Sequence, residues 1–72
     1  MDRFEDLQAF VAVVEAKSFT AAAERLDAAK SVVSRRVSAL ERRLGVQLLH
    51  RTTRRLSLTD TGRSFYEESA RI

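Results

Sequence analysis

Residues 30–55 read KSVVSRRVSALERRLGVQLLHRTTRR, and this stretch decides what kind of domain the chain forms. It holds eight basic residues against one acid, Glu41, so its formal charge is +7. The residues before it carry a formal charge of −3, and those after it carry −1. A cationic centre between acidic ends predicts a polyanionic partner, of which nucleic acid is the commonest.

Residues 30–44 have the apolar spacing of a helix with one narrow buried face. That face is formed by Val33, Val37, Leu40 and Leu44. The opposite side carries hydroxyl and guanidinium groups, from Ser31, Ser34, Arg35, Ser38 and Arg42. Gly45 is expected to end the helix, because glycine adopts positive φ at low cost. Such a helix can be anchored on one side and enter a DNA groove with the other.

Two helices are predicted before this one. The first spans about residues 4–16, and the residues expected to face the core are Phe4, Leu7, Phe10, Val11 and Val14. The second is short, covers the AAAERL run, and is capped by Ser18 or Thr20. Residues 27–29 form a tight turn that leads into the third helix.

The residues after the third helix predict a hairpin and a last helix. Apolar and polar residues alternate around residues 46–58, with a turn at residues 52–55. Thr59 is expected to cap the last helix, in which Phe65 and Tyr66 make core or dimer contacts. The fold class is therefore mainly α, a winged helix-turn-helix with a three-helix core. Residues 1–58 form this domain, and residues 59–72 begin a helix that stops without a closing signal.

The start of the third helix is the predicted reading edge, because the N-terminal residues of such a helix usually contact bases. Lys30, Ser31, Ser34 and Arg35 are favoured for this role, whereas Arg42 and Arg43 are expected to touch phosphate or remain solvated. In the hairpin turn, Arg54 is the best candidate for insertion into a narrow minor groove.

Several other classes of function are disfavoured by composition. The chain has no cysteine, and its single histidine, His50, has no partner for a metal site. No nucleophile elbow supports catalysis, so neither an enzyme nor a cofactor is predicted. No apolar run has the length of a membrane span, and the acidic start is unlike a secretory signal.

Two alternatives to duplex DNA binding remain. The basic face could dock an acidic protein, in which case affinity for duplex DNA would not depend steeply on salt. Binding of single-stranded nucleic acid is disfavoured, because residues 30–55 contain no aromatic side chain on which a base could stack.

An ordered set of residues along nearly the whole chain is specific to one family. It comprises Phe10, Val14, Glu15, residues 18–23, Leu26, residues 33–35, Leu40, Glu41, residues 44–49, Arg51, Leu58, Thr59 and Gly62. This set resembles the N-terminal DNA-binding domain of LysR-type transcriptional regulators.

The resemblance implies a bacterial transcription regulator that works in the cytoplasm, at the nucleoid. It implies binding of double-stranded DNA at an interrupted inverted repeat by a homodimer, or by a tetramer of the full-length protein. The dimer would form through a linker helix that starts near Thr59. A small-molecule effector would bind only to a C-terminal domain, which these residues do not include.

The resemblance also implies roles for particular residues. Base contacts are carried over to Lys30, Ser31, Val33, Ser34, Arg35 and Arg54, and the predicted DNA-binding set adds Ser38, Thr53 and Arg55. The helix-turn-helix framework is expected to rest on Thr20, Ala21, Ala22, Ala23, Leu26, Val33 and Val37.

Three positions depart from the family pattern. Ala29 cannot cap the third helix, so Asp27 or Ser31 is expected to substitute and shift the start of that helix. Lys30 replaces a common glutamine and would bind phosphate or guanine instead. Lys17 stands where relatives often have glycine, which predicts either a turn without positive φ or a small strain.

Overall fold

The helices and strands follow one another in the order that the sequence predicts. The structure is a computed structural model and describes residues 3–51 and 56–70. Its elements are α1 Arg3–Ala16, α2 Phe19–Leu26, α3 Lys30–Leu44, β1 Leu49–Arg51, β2 Leu56–Leu58 and α4 Asp60–Ala70. The two strands pair antiparallel, with Leu49 opposite Leu58. The predicted winged helix-turn-helix is confirmed, while the expected wing tip, residues 52–55, lies outside the described residues.

The core-facing side of α1 differs from the predicted one. Phe4 is 64% exposed, and Leu7, Val11 and Val14 are only half-buried. The fully buried positions are Asp6, Ala9, Phe10 and Val13. Small side chains on the buried side let neighbouring helices approach α1 closely. The spacing of the large apolar residues had predicted a different face, which is rotated about the helix axis from the buried one. The prediction was therefore right for Phe10, right in part for Val11 and Val14, which pack half-buried against the core, and wrong for the exposed Phe4.

In α3 the predicted buried face is confirmed over its first three members. Val33, Val37 and Leu40 are buried, but Leu44 is 42% exposed. Leu44 is the last helical residue, and Gly45 then turns the chain with φ 71°, as its sequence position predicts. The Gly45 amide donates to the Glu41 carbonyl over 2.8 Å and so closes the final helical turn.

The turns on either side of α2 use left-handed backbone without glycine. Ser18 caps α2, because its Oγ accepts from the Ala21 amide at 3.1 Å. Lys17 has φ 59° and Asp27 has φ 54°. Of the two possibilities for Lys17, strain is therefore the correct one, and it costs about 1–2 kcal/mol.

The start of α3 has no side-chain cap. Ala29 is the capping residue and makes no such hydrogen bond, and the helix begins at Lys30. The expected substitution by Asp27 or Ser31 was wrong. Asp27 ends α2 instead, since its left-handed backbone directs its amide to the Glu24 carbonyl at 3.2 Å.

The joint between the hairpin and α4 is tight. The Thr59 amide donates to the Leu48 carbonyl at 3.0 Å, and its hydroxyl donates to the Gln47 carbonyl at 2.7 Å. The same hydroxyl accepts from the Gly62 amide at 2.9 Å, which confirms Thr59 as the cap. A Cβ on Gly62 would lie 2.0 Å from the Leu48 carbonyl oxygen, so only glycine fits at this contact.

Aromatic side chains fasten α4 to α1. The rings of Phe65 and Phe10 lie 5.7 Å apart in a tilted arrangement. The Tyr66 hydroxyl donates to the Glu15 carboxylate at 3.1 Å, and this hydrogen bond is the main cause of the raised Tyr66 pKa. Both aromatic residues pack against the core, which is one of the two roles expected for them.

Candidate nucleic-acid interface

Four of the predicted reading residues lie together at the start of α3. Lys30, Ser31 and Arg35 are exposed, and Ser34 is half-buried. Ser31 and Ser34 are three positions apart, and Ser34 follows Lys30 by four positions as Arg35 follows Ser31, so their side chains share one side of the first helical turns. We call these four residues the reading face. The face combines two short hydroxyl side chains with two long cationic ones. Because the serines are short, the floor of a DNA groove could approach the backbone of α3 closely.

Val33 does not belong to this surface. Its side chain is 0% exposed and packs in the core with Val37. A residue with no accessible surface cannot contact a base, so the DNA-binding role carried over to Val33 is corrected. Its place in the helix-turn-helix framework agrees with this burial.

The other framework residues show how α2 supports α3. Ala22 and Ala23 are buried, Ala21 and Leu26 are half-buried, and Thr20 is exposed. The run of small side chains lets α2 pack closely on its neighbours, as its composition suggests. The reading face is therefore held on a scaffold of three packed helices.

Three of the arginines in the basic stretch are paired with acids. Arg36 lies 3.9 Å from Glu5, Arg43 lies 2.9 Å from Asp6, and Arg51 lies 3.5 Å from Glu41. We call Arg36, Arg43 and Arg51 the paired arginines.

Three other cations of the stretch are exposed. Lys30, Arg35 and Arg42 make no ion pair within the described part of the chain. We call these three the free cations. Among the described residues, the cations of the stretch thus divide into three with an acidic partner and three without one.

The pair between Asp6 and Arg43 is a feature that sequence reasoning missed. The Asp6 side chain is 0% exposed, and that of Arg43 is 33% exposed. Arg43 was expected to touch phosphate or stay solvated, whereas it pairs with an acid 37 positions away in the sequence. The signal was that Asp6 shares a helical face with Ala9, Phe10 and Val13, the face that proved to be buried.

A second cluster joins the root of the hairpin to α3. Glu41 Oε2 accepts from the amides of Leu48 at 2.8 Å and Leu49 at 3.2 Å. Arg51 Nη1 donates to Ser38 Oγ at 3.1 Å, and the guanidinium carbon lies 5.1 Å from the centre of the Phe19 ring. We call Phe19, Ser38, Glu41 and Arg51 the wing-root cluster, whose members come from α2, α3 and β1.

The wing-root cluster also involves residues singled out in the sequence. Glu41, the single acid of residues 30–55, forms its ion pair with Arg51. Ser38, predicted to contact DNA, is half-buried and its hydroxyl is engaged by Arg51. The predicted contacts of Thr53, Arg54 and Arg55 lie outside the described residues.

The described residues show neither a metal-binding cluster nor a helix suited to a membrane. Among residues 3–51 and 56–70, no three His, Cys, Asp or Glu side chains are grouped to hold a metal ion. Over the same residues, no helix combines the length and apolar character that a bilayer span requires. An open apolar groove lies between α1 and α2, bordered by Phe4, Leu7, Val11 and Leu26.

Comparison with known proteins identifies relatives over almost the whole chain. Residues 4–63 match the family model described as bacterial regulatory helix-turn-helix protein, lysR family. The regulator CrgA of Neisseria meningitidis serogroup C (strain 8013) is 54% identical over 68 residues, which are 94% of this chain and 23% of CrgA. The regulator PtxR of Pseudomonas aeruginosa is 53% identical over 66 residues, which are 92% of this chain and 21% of PtxR. The chain thus spans less than a quarter of the length of these relatives.

Solved structures agree with the sequence relatives. The BenM_DBD/catB site 1 DNA complex superposes with a TM-score of 0.90 at 42% identity, covering 99% of this chain and 79% of that one. The CbnR_DBD-DNA complex also gives a TM-score of 0.90 at 42% identity, covering 99% of this chain and 80% of that one.

Proposed function

Because the chain belongs to the LysR family of bacterial helix-turn-helix regulators, we propose that it binds double-stranded DNA in a sequence-specific manner. In this proposal α3 enters the major groove and the hairpin lies at the adjacent minor groove. The observation that carries the proposal is the reading face, an exposed edge of serine, lysine and arginine on a packed three-helix scaffold. Related proteins support the proposal, because the BenM and CbnR domains, which have the same fold, were crystallised in complex with DNA.

Each group on the reading face has a distinct role in this proposal. Arg35 presents a planar fork that fits the O6 and N7 acceptors of guanine. The hydroxyls of Ser31 and Ser34 are short enough to reach phosphate or a base edge while the backbone stays close. Lys30 is a point charge and serves phosphate or guanine.

The proposal extends to the organisation of the protein. Residues 1–58 form the DNA-binding domain, and residues 59–72 begin the linker helix through which two copies dimerise on an interrupted inverted repeat. The larger protein would regulate transcription in the cytoplasm, as its named relatives are transcriptional regulators, and would take its effector outside these residues. No catalytic role is proposed.

Selection from a random pool of duplexes tests the proposal directly. The protein should enrich a defined motif, and a motif with two-fold symmetry would support dimeric docking. Failure to enrich any motif would remove specific recognition. Affinity for an acidic protein without salt-steep duplex binding would favour the alternative, a protein-interaction module.

The division between free cations and paired arginines predicts the salt dependence of binding. Lys30, Arg35 and Arg42 are available, and Arg54 and Arg55 add two positions if the hairpin reaches DNA. The slope of log K against log salt should then lie between about −3 and −5 for each bound domain. Fluorescence anisotropy with one labelled duplex at several salt concentrations measures it. A slope near −7, as eight free cations would give, contradicts the division.

Substitution of Arg35 tests the reading face. Arg35→Ala should weaken binding to the selected motif by about 1–3 kcal/mol and relax the base preference at one position. Arg36→Ala is the matched control, because Arg36 is half-buried and faces Glu5, so its loss should leave base preference unchanged. Equal weakening on every duplex would instead assign Arg35 to phosphate.

A further inference from the structure

We infer that Arg51 is a positioning residue that fixes the hairpin at a set orientation to the reading helix, and thereby determines recognition of bases flanking the major-groove site. This inference rests on the proposed function, because it concerns how two parts of one DNA-binding surface are held together. Arg51 is the last residue of β1, and the chain enters residues 52–55 immediately after it.

The contacts of Arg51 tie the hairpin to two helices at once. One guanidinium nitrogen donates to Ser38 in the middle of α3, and the other lies 3.5 Å from the Glu41 carboxylate one turn later. The guanidinium stands 5.1 Å from the Phe19 ring at the start of α2. These three contacts restrict both the direction of the Arg51 side chain and the rotation of its guanidinium group. Arginine can make them together because its guanidinium is planar and carries several N–H donors.

These contacts leave Arg51 unsuited to be a phosphate contact itself. Its charge faces Glu41, and its side chain is 35% exposed. The free cations, by contrast, make no ion pair among the residues that the structure describes. Arg51 therefore acts through the hairpin it holds, and its removal should change where the hairpin lies and not how many phosphates are neutralised.

The fold has a separate means of holding the hairpin root in place. Glu41 accepts from the amides of Leu48 and Leu49, and these hydrogen bonds do not involve Arg51. The strand pairing of β1 with β2 is also independent of the Arg51 side chain. Loss of the guanidinium should thus loosen the orientation of the hairpin while the domain stays folded.

The test compares base preferences of four variants, Arg51→Ala, Arg51→Lys, Ser38→Ala and His50→Ala, with the unmodified protein. His50 is the matched control, because it is exposed, lies beside Arg51 in β1 and takes no part in the wing-root cluster. Each purified protein selects from one duplex pool, and preference is scored separately for the central positions of a half-site and for its flanks. Circular dichroism and thermal unfolding verify that each variant is folded.

We expect Arg51→Ala to reduce the flank preference about three- to ten-fold while the central preference changes less than about two-fold. Arg51→Lys should show the same loss, since lysine retains the charge but not the fork. Ser38→Ala should show a smaller loss in the same direction, and His50→Ala none. The salt slope of Arg51→Ala should equal that of the unmodified protein.

Other results would overturn the inference. Rescue of binding by Arg51→Lys together with a shallower salt slope for Arg51→Ala would make Arg51 a phosphate contact. An unchanged flank preference in folded Arg51→Ala, or in Ser38→Ala and Arg51→Lys if the alanine variant does not fold, would remove the positioning role. Absence of any enriched motif with the unmodified protein would be a failure of the proposed function instead, so the two failures are distinguishable.

Discussion

Replacement of Gly62 by alanine is expected to destabilise the domain by about 3 kcal/mol, at the upper end of the usual cost of overpacking. The new methyl group would meet the carbonyl oxygen of Leu48 at 2.0 Å and its carbonyl carbon at 2.8 Å, and both are backbone atoms that cannot rotate aside. The first turn of α4 would have to move away from the hairpin. The same Leu48 carbonyl accepts from Thr59, so this hydrogen bond would be strained as well.

Urea unfolding followed by circular dichroism measures this effect. A domain of this size has a free energy of unfolding of roughly 4–11 kcal/mol, so the loss would be a large part of it. The matched control is Ser64→Ala in the exposed part of the same helix, which should change stability by less than about 0.5 kcal/mol. Helix propensity alone would make Gly62→Ala stabilising by about 1 kcal/mol, so a rise in stability would show that the close contact is absent.

Removal of Arg43 is the second substitution with a large expected effect. Arg43→Ala leaves the Asp6 carboxylate buried without its cation, and breaking a fully buried pair costs about 3–5 kcal/mol. Because the Arg43 side chain is 33% exposed, water can partly replace it, and we expect a loss of about 2 kcal/mol. Asp6 Oδ1 has no hydrogen-bond partner among the described residues, so the carboxylate has little other support.

Two comparisons make this prediction specific. Arg42→Ala, at the neighbouring exposed position, should cost less than about 0.5 kcal/mol. Adding Asp6→Asn to the Arg43→Ala variant should restore at least about 1 kcal/mol, because it removes the uncompensated charge. If Arg42→Ala and Arg43→Ala unfold at the same urea concentration, the pair with Asp6 does not stabilise the domain.

The sequence predicts the order of elements well because each boundary has a local signal. Ser18 and Thr59 cap their helices by hydrogen bonds within three residues, and Gly45 ends α3 by its own backbone preference. The apolar spacing of α3 likewise predicts four buried residues, of which three, Val33, Val37 and Leu40, are buried. Such signals do not depend on distant parts of the chain.

Apart from the missing cap of α3, the misjudged features depend on contacts between distant residues. The buried face of α1 is determined by the helices that pack on it, so Phe4 is exposed although it is large, while Ala9 and Ala12 are buried. Asp6 and Arg43 are 37 positions apart, and neither residue alone signals the pair. For α3, the residue types predict a polar face. The burial of Val33 and the hydrogen bond between Arg51 and Ser38 become visible only in the three-dimensional structure.

The paired arginines have a consequence for how such a protein would search a genome. Affinity for random DNA comes almost entirely from phosphate neutralisation, so every arginine withheld from phosphate lowers it. The base contacts proposed for Arg35 would be unaffected, because Arg35 is not among the three arginines paired with Glu5, Asp6 and Glu41. By pairing with these arginines, the acids would thus shorten the residence time of the protein on non-specific DNA. The residence time at the specific site would be determined mainly by the base contacts.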